Sequence, residues 1–313
     1  MKPAVILLIL DGWGIGNSDD SNPIYAVRPA AFESIASSYP GGALRASGTA
    51  VGLPWQKEGS SALGHLMLGS GRTIPERVQK IAFTENSPQA NGEKHIEPLE
   101  KTLGEVLANE NKFVMRIGET AREKEITYFF SGLREGPFPN EYRVLIPSER
   151  VARQEESPEM RVVSVADRLL VAAREGTFDF ILANFTNADV VARTGNYQAT
   201  MKAVQAIDRE LAKIVNVILE EGHTLIITSS HGNAEYVLDL KTGIPEKSDD
   251  PNPVPFHIVG KRFALRNPTP NPLSPRVVGI LPDVAPTILE IMGIERPVEM
   301  TGENLLPQLG IQL

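Results

Sequence analysis

Three stretches of the chain are almost uninterruptedly apolar: VILLIL at 5–10, FDFILANF at 178–185 and TLIITSS at 224–230. A strand with one wet face alternates apolar and polar residues. Continuous runs therefore predict strands covered on both faces, as in a parallel sheet. Shorter runs predict further strands at 43–47 (ALRAS), 113–117 (FVMRI), 126–130 (ITYFF), 142–146 (YRVLI) and 254–260 (VPFHIVG). Between these runs the period changes. Over 197–221, Met201, Val204, Ile207, Leu211, Ile214 and Ile218 recur every three or four residues, which predicts a long helix with one apolar stripe. Helices are also expected at 164–175 and at 283–292, the second capped by Asp283 and stopped by Gly293. Alternating strands and helices predict an α/β fold, a mainly parallel sheet sandwiched between helices. The polar segment 84–97 and the proline-rich RNPTPNPLSP at 266–275 read as connections.

Length and charge narrow the classes. A chain of 313 residues makes one large domain or two, with ample core. Its net charge is −8, from 31 basic and 39 acidic residues, and no long basic run stands out. That argues against nucleic acid or an anionic membrane as the partner. The chain has no cysteine, so disulfides and thiolate metal sites are excluded. A metal would need Asp, Glu, His, Ser or backbone oxygen. The first apolar run stops at Asp11-Gly12-Trp13-Gly14, too short to span a bilayer and without a small-residue cleavage site. The expected location is cytoplasmic.

The chemistry-bearing residues gather where the predicted strands end. In parallel α/β sheets, ligands bind beyond the carboxyl ends of the strands. Asp11 follows the first run; Asn187, Asp189 and Arg193 follow the second; Ser230 and His231 follow the third. Asp249 and Asp250 precede VPFHIVG. In EGSSALGHLMLGSGR (58–72), Ser60 or Ser61 is placed to cap a helix that begins at Ala62. A serine there faces free N–H groups and the positive end of the helix dipole, which suits anion binding or attack on phosphate. Each residue also has an ordinary structural role: caps for the aspartates and serines, a core hydrogen bond for His231. Their common position at strand ends favours a single site.

The segments ILLILDGWG (6–14), GSSALGHLMLGSGR (59–72), RIGETAREKEITYFFSG (116–132), PFPNEYRVLIPS (137–148), NFTNADVVARTGN (184–196), TSSHGNAE (228–235), NPVPFHIVG (252–260), LPDVAPTILEIMG (281–293) and PVEMTGENLL (297–306) run in one order. In that order they resemble the cofactor-independent phosphoglycerate mutases of the alkaline phosphatase superfamily. The resemblance implies an alkaline-phosphatase-like domain over 1–313. Residues 77–97 stand where the family inserts a much larger substrate-gripping domain. It implies one metal position formed by Asp11, Ser61, His231 and an aspartate that is Ser230 here. A second would use Asp189 and two histidines, which are Arg193 and Asp249 here. Ser61 takes the nucleophile position, and Arg122 stands for a phosphate-stabilising lysine.

These substitutions set the functional expectation. Arginine cannot ligate a cation, and its charge repels one. Arg193, four residues after Asp189, is expected to occupy the second metal position and to pair with Asp189 and Asp249. Asp11, Ser61 and His231 would hold at most one weakly bound divalent cation, Mg²⁺ or Mn²⁺, or none. The expected protein is a degenerate relative without mutase activity or a competent two-metal site, acting by binding a small phosphorylated ligand or a protein partner. The alternative is a metal-dependent phosphomonoesterase or phosphotransferase that uses Ser61 with one metal and Arg193 in place of the other.

Overall fold

β1 (Val5–Leu10) is buried along its whole length, as a continuously apolar strand must be. Val5, Leu7 and Ile9 enter one core cluster, and Ile6, Leu8 and Leu10 enter another on the opposite face. Burying each such side chain contributes roughly 1.5–3 kcal/mol. The computed structural model describes residues 2–75, 78–79, 97–266 and 275–313. The other strands are β2 (Gly41–Arg45), β3 (Val114–Glu119), β4 (Glu141–Ile146), β5 (Phe180–Phe185), β6 (Thr224–Thr228), β7 (Val254–Val259) and β8 (Val277–Ile280). They form one sheet in the order β4-β3-β5-β1-β6-β7-β2-β8. β7 is antiparallel to both its neighbours, and every other pair is parallel. The carboxyl ends of β1, β3, β5 and β6 therefore share one edge with the amino end of β7.

The helices are α1 (Pro23–Val27), α2 (Ala30–Ser38), α3 (Ser61–Ser70), α4 (Leu103–Asn109), α5 (Val162–Glu175), α6 (Asn187–Ala192), α7 (Tyr197–Glu221) and α8 (Val284–Ile291). α7 matches its predicted span, and Val204, Ile207, Leu211, Ile214 and Ile218 are buried. Asn196 caps it by accepting from the Ala199 N–H at 3.0 Å. α3 starts at Ser61, one residue before the expected start. Ser60 is the cap, accepting from the Leu63 N–H at 3.3 Å, so the Ser61 hydroxyl is not spent on capping. Asp283 precedes α8 but does not cap it with its side chain; its carboxylate accepts instead from the N–H groups of Ile280 and Glu303, each at 2.8 Å.

The expectation of a strand at 126–130 is wrong. Glu125–Phe129 is a π-helical turn packed on α3. Its carbonyls are claimed by a buried arginine rather than by a neighbouring strand. Arg116 Nη1 donates to Ile126 O at 2.7 Å and Thr127 O at 3.2 Å. β8, four residues long at the sheet edge, was not anticipated, because so short a run carries no period. Of the expected connections, residues 80–96 and 267–274 lie outside the described residues.

Candidate functional site

Asp11 is the first residue beyond β1, and its N–H donates to Phe185 O at 2.9 Å. The chain then turns at Gly12 with φ +75°, where a Cβ would meet Asp189 Cα at 2.7 Å. Only glycine permits this left-handed turn and so close an approach. The approach brings in α6, whose Asp189 N–H donates to Asp11 O at 3.1 Å. Arg193 follows the last turn of α6, on the same side as Asp189. β6 delivers Ser230 and His231. The reversed β7 explains how Asp249, which precedes a strand rather than following one, reaches the same edge. Arg122 ends the 3₁₀ turn Thr120–Arg122 that follows β3.

The eight positions that the resemblance names, Asp11, Ser61, Arg122, Asp189, Arg193, Ser230, His231 and Asp249, meet, while Asn187 donates to Ala203 O at 3.2 Å and Ser60 caps α3. Ser61 Oγ donates to Asp11 Oδ2 at 2.7 Å. Ser230 Oγ donates to Asp11 Oδ1 and lies 2.8 Å from His231 Nδ1. The other imidazole nitrogen, Nε2, lies 3.0 Å from Asp189 Oδ1 and 3.1 Å from Asp249 Oδ1. Arg193 reaches into the same space. Its Nε donates to Asp189 Oδ1 at 3.0 Å, its Nη2 pairs with Asp249, and Nη2 is 3.2 Å from His231 Nε2. Arg122 Nη2 pairs with Asp189 Oδ2, and its Nε is 3.6 Å from Asp11 Oδ2. Asp11, Ser61, Asp189, Ser230 and His231 are buried, whereas the Arg193 side chain is 38% exposed.

Buried carboxylates survive as anions only when cations or donors face them. Burial pushes Asp11 upward, but the His231 hydrogen bond and nearby imidazole charge outweigh it and hold the carboxyl well below the usual range. Asp189 is likewise driven down against burial, by His231, Arg122 and Arg193. Burial opposes a charge on His231, yet Asp189, Asp11 and Asp249 raise it well above an ordinary imidazole. The same aspartates raise Arg122 and Arg193 against their own burial. Three carboxylates thus face two guanidinium groups and an imidazolium, a balanced set.

Sequence reasoning missed some members. Asn233 Nδ2 donates to Asp189 Oδ1 at 2.8 Å, and Glu125 Oε1 accepts from Arg122 at 3.3 Å. Ser229 Oγ accepts from the Trp13 N–H at 3.1 Å and donates to His231 O at 2.8 Å, tying β1 to β6. Asn233 and Ser229 lie within TSSHGNAE, so the signal for them was the motif itself. Asp250, also singled out, instead uses its carboxylate to accept from the Asn252 N–H at 2.9 Å.

The family model of the metalloenzyme superfamily matches residues 3–296. The chain belongs to the metalloenzyme superfamily. This metalloenzyme-superfamily chain is 40% identical over 235 residues to the 2,3-bisphosphoglycerate-independent phosphoglycerate mutase of Pseudomonas putida, covering 74% of the chain and 44% of that relative. It is 42% identical over 210 residues to the enzyme of the same name from Ehrlichia canis, covering 66% of the chain and 40% of the relative. The chain thus spans less than half the length of these relatives. Its fold is that of Leishmania mexicana phosphoglycerate mutase, with TM-score 0.79, 17% identity and 97% of both chains covered. It is also that of an alkaline phosphatase from the Antarctic bacterium TAB5, with TM-score 0.59, 12% identity, and 94% and 99% covered. The fold is thus alkaline-phosphatase-like, and the sequence is related to the phosphoglycerate mutases. Among the described residues, no helix is long and apolar enough to cross a membrane.

Proposed function

We propose that this chain keeps the phosphatase frame without the two-metal centre, and acts by binding a small phosphorylated ligand or a protein partner rather than as a mutase. The observation that carries this reading is the position of Arg193. Ligand atoms of Asp189, His231 and Asp249 lie within 4.8 Å of one another, close enough to hold a cation. The Arg193 guanidinium bonds to or touches all three. A metal there would have to displace a fixed positive charge, so these residues do not fit a second metal. Around Asp11, each carboxylate oxygen already accepts from a serine hydroxyl, and Ser230 brings no negative charge. That donor set suits one weakly held Mg²⁺ or Mn²⁺ at most.

A second reading keeps chemistry at Ser61, as a phosphomonoesterase or phosphotransferase with a single metal and Arg193 for the other. What favours it is Ser61 as the first residue of α3, with its hydroxyl on a buried carboxylate. Against it, Asp11 accepts from two hydroxyls and faces Arg122, which makes it a weak base for the Ser61 proton. Metal analysis of purified protein, with aryl phosphate hydrolysis assayed in Mg²⁺, Mn²⁺, Zn²⁺ and Co²⁺, separates the two. The binding reading expects sub-stoichiometric metal and no turnover. Turnover that disappears in Ser61→Ala would establish the enzyme reading instead.

A further inference from the structure

β7 runs against its neighbours, so its carboxyl end lies at the edge of the sheet opposite the eight-residue site. Lys261 and Arg262 follow it there, in the turn Lys261–Phe263. With Lys2, Lys112, Asp179 and Thr224 they line a cleft of about 440 Å³. None of the eight site residues lines it. Four cations thus surround one carboxylate, in a chain whose net charge is −8.

The protein's own groups do not use up these charges. Lys2 pairs with Asp179, whose second oxygen accepts from the Phe113 N–H at 3.0 Å, so that carboxylate is already matched. Arg262 lies over the Phe263 ring, 4.6 Å from its centroid, and pairs with no carboxylate among the described residues. Lys112 and Lys261 have neither a carboxylate nor a carbonyl partner among those residues. Helix C-termini attract cations, and α7 and α8 both end beside the cleft. Yet each end is closed by its own backbone: the His223 N–H donates to Ile218 O at 3.0 Å, and the Ile294 N–H to Leu289 O at 2.9 Å. The His223 ring is also taken, between the Ala4 N–H and Ala173 O, each at 3.0 Å. Thr224 is not. It is 8% exposed, on the sheet face of Ile226 that carries α8, and its hydroxyl bonds to no described residue. Unmatched like charges around one cleft repel each other, and a buried hydroxyl without a partner is costly. An anion that accepts hydrogen bonds relieves both.

We infer that this cleft is a second binding site, for a small molecule that carries a phosphoryl group. Lys112, Lys261 and Arg262 meet its charge, and the Thr224 hydroxyl donates to one of its oxygens. Val5, Ile291 and Met292 line the same cleft and cover the carbon part of the ligand. Its volume lies in the range of small-molecule sites, well beyond what a bare phosphate fills.

The test uses phenylphosphonate, which is not an ester and so cannot be hydrolysed at Ser61, with inorganic phosphate and benzyl alcohol as controls. Binding is followed by titration calorimetry on the intact chain at matched ionic strength. Phenylphosphonate is expected to bind one to one, and more tightly than either control. Replacing both exposed charges, Lys112→Ala with Lys261→Ala, is expected to weaken it at least about tenfold, the worth of one charged hydrogen bond or more. Thr224→Val keeps the shape and the charge, and is expected to weaken it about three- to tenfold, which a merely diffuse positive field would not produce. The inference is overturned if phenylphosphonate does not bind the unaltered chain, or if benzyl alcohol binds as tightly. Binding that survives the loss of both lysines lies elsewhere and overturns it too. The first two outcomes are read in the unaltered chain, so they do not depend on a variant folding.

Discussion

Arg193 decides how the site's charges are compensated. Removing it leaves Asp189 and Asp249 facing fewer cations. Losing one partner of a buried pair costs roughly 3–5 kcal/mol, but the Arg193 side chain is 38% exposed and solvent screens part of the effect. Arg193→Ala is expected to lower stability by about 1–3 kcal/mol in urea unfolding. Mn²⁺ should restore much of that loss, because the freed ligand atoms stay within 4.8 Å of one another. A variant as stable as the parent and indifferent to Mn²⁺ would remove Arg193 from the charge balance. Glu235 offers a different residue-scale test. Its carboxylate accepts from the N–H groups of Gly14 at 2.9 Å and Asn233 at 2.8 Å, binding the loop after β1 to the turn after His231. Burial, reinforced by Asp250, pushes it from 4.5 up to about 7. The folded state therefore holds a proton that the unfolded chain releases earlier. This contribution is intact below pH 4.5, falls as pH rises towards 7, and is lost above it. The full shift is worth roughly 3 kcal/mol. Glu235→Gln should flatten the stability profile between those limits, as measured by unfolding at a series of pH values.

At the scale of elements, the turn at Glu125–Phe129 shows where local pattern misleads. ITYFF is β-branched and aromatic, so its own preferences point to a strand. What overrides them is distant in sequence and local in space. Arg116, on β3, is 1% exposed and pairs with Glu141 at 2.8 Å while holding carbonyls of the turn. No periodicity count reveals a buried arginine. Nor does it reveal that Gly69 lets α3 approach until a Cβ there would lie 2.0 Å from Phe130 O. The central strands were legible because being apolar on both faces leaves them no other place. The turn depends on one side chain, and burial lowers even that guanidinium to about 10. Arg116→Ala should therefore cost about 3–5 kcal/mol by denaturant unfolding, far more than a surface arginine, because it leaves buried Glu141 with Arg143 as its one guanidinium partner and frees the turn's carbonyls. Arg122 lies just before that turn, so hydrogen exchange should report loosening through 120–131 ahead of the rest of the sheet.

At the scale of the molecule, the site follows from one topological fact. Seven of the eight described strands end at the edge where β7 begins, so residues far apart in sequence converge there without any local motif joining them. The sequence placed Asp11, Asp189 and His231 at strand ends from pattern alone. Asp249 and Asp250 were both picked out ahead of a strand, but choosing Asp249 needed the resemblance, because a residue ahead of a strand joins the site only if that strand is reversed. The frame that delivers these side chains is held by the sheet and the core clusters on its two faces. Reverting the ligands should then restore metal binding without redesign of the fold. The combined changes Ser230→Asp, Arg193→His and Asp249→His supply the acid and the two imidazoles that the resemblance implies. They leave Asp11, Asp189 and the new acid facing one guanidinium, Arg122, together with imidazoles that can give up a proton and ligate a divalent cation. This variant is expected to be less stable than the parent without metal and to gain about 2–4 kcal/mol in saturating Mn²⁺, while the parent gains little. Thermal unfolding with and without Mn²⁺, beside metal stoichiometry, measures both. A parent stabilised by Mn²⁺ as strongly as the variant would mean that Arg193 yields its place to a cation, and that the enzyme reading has the better claim.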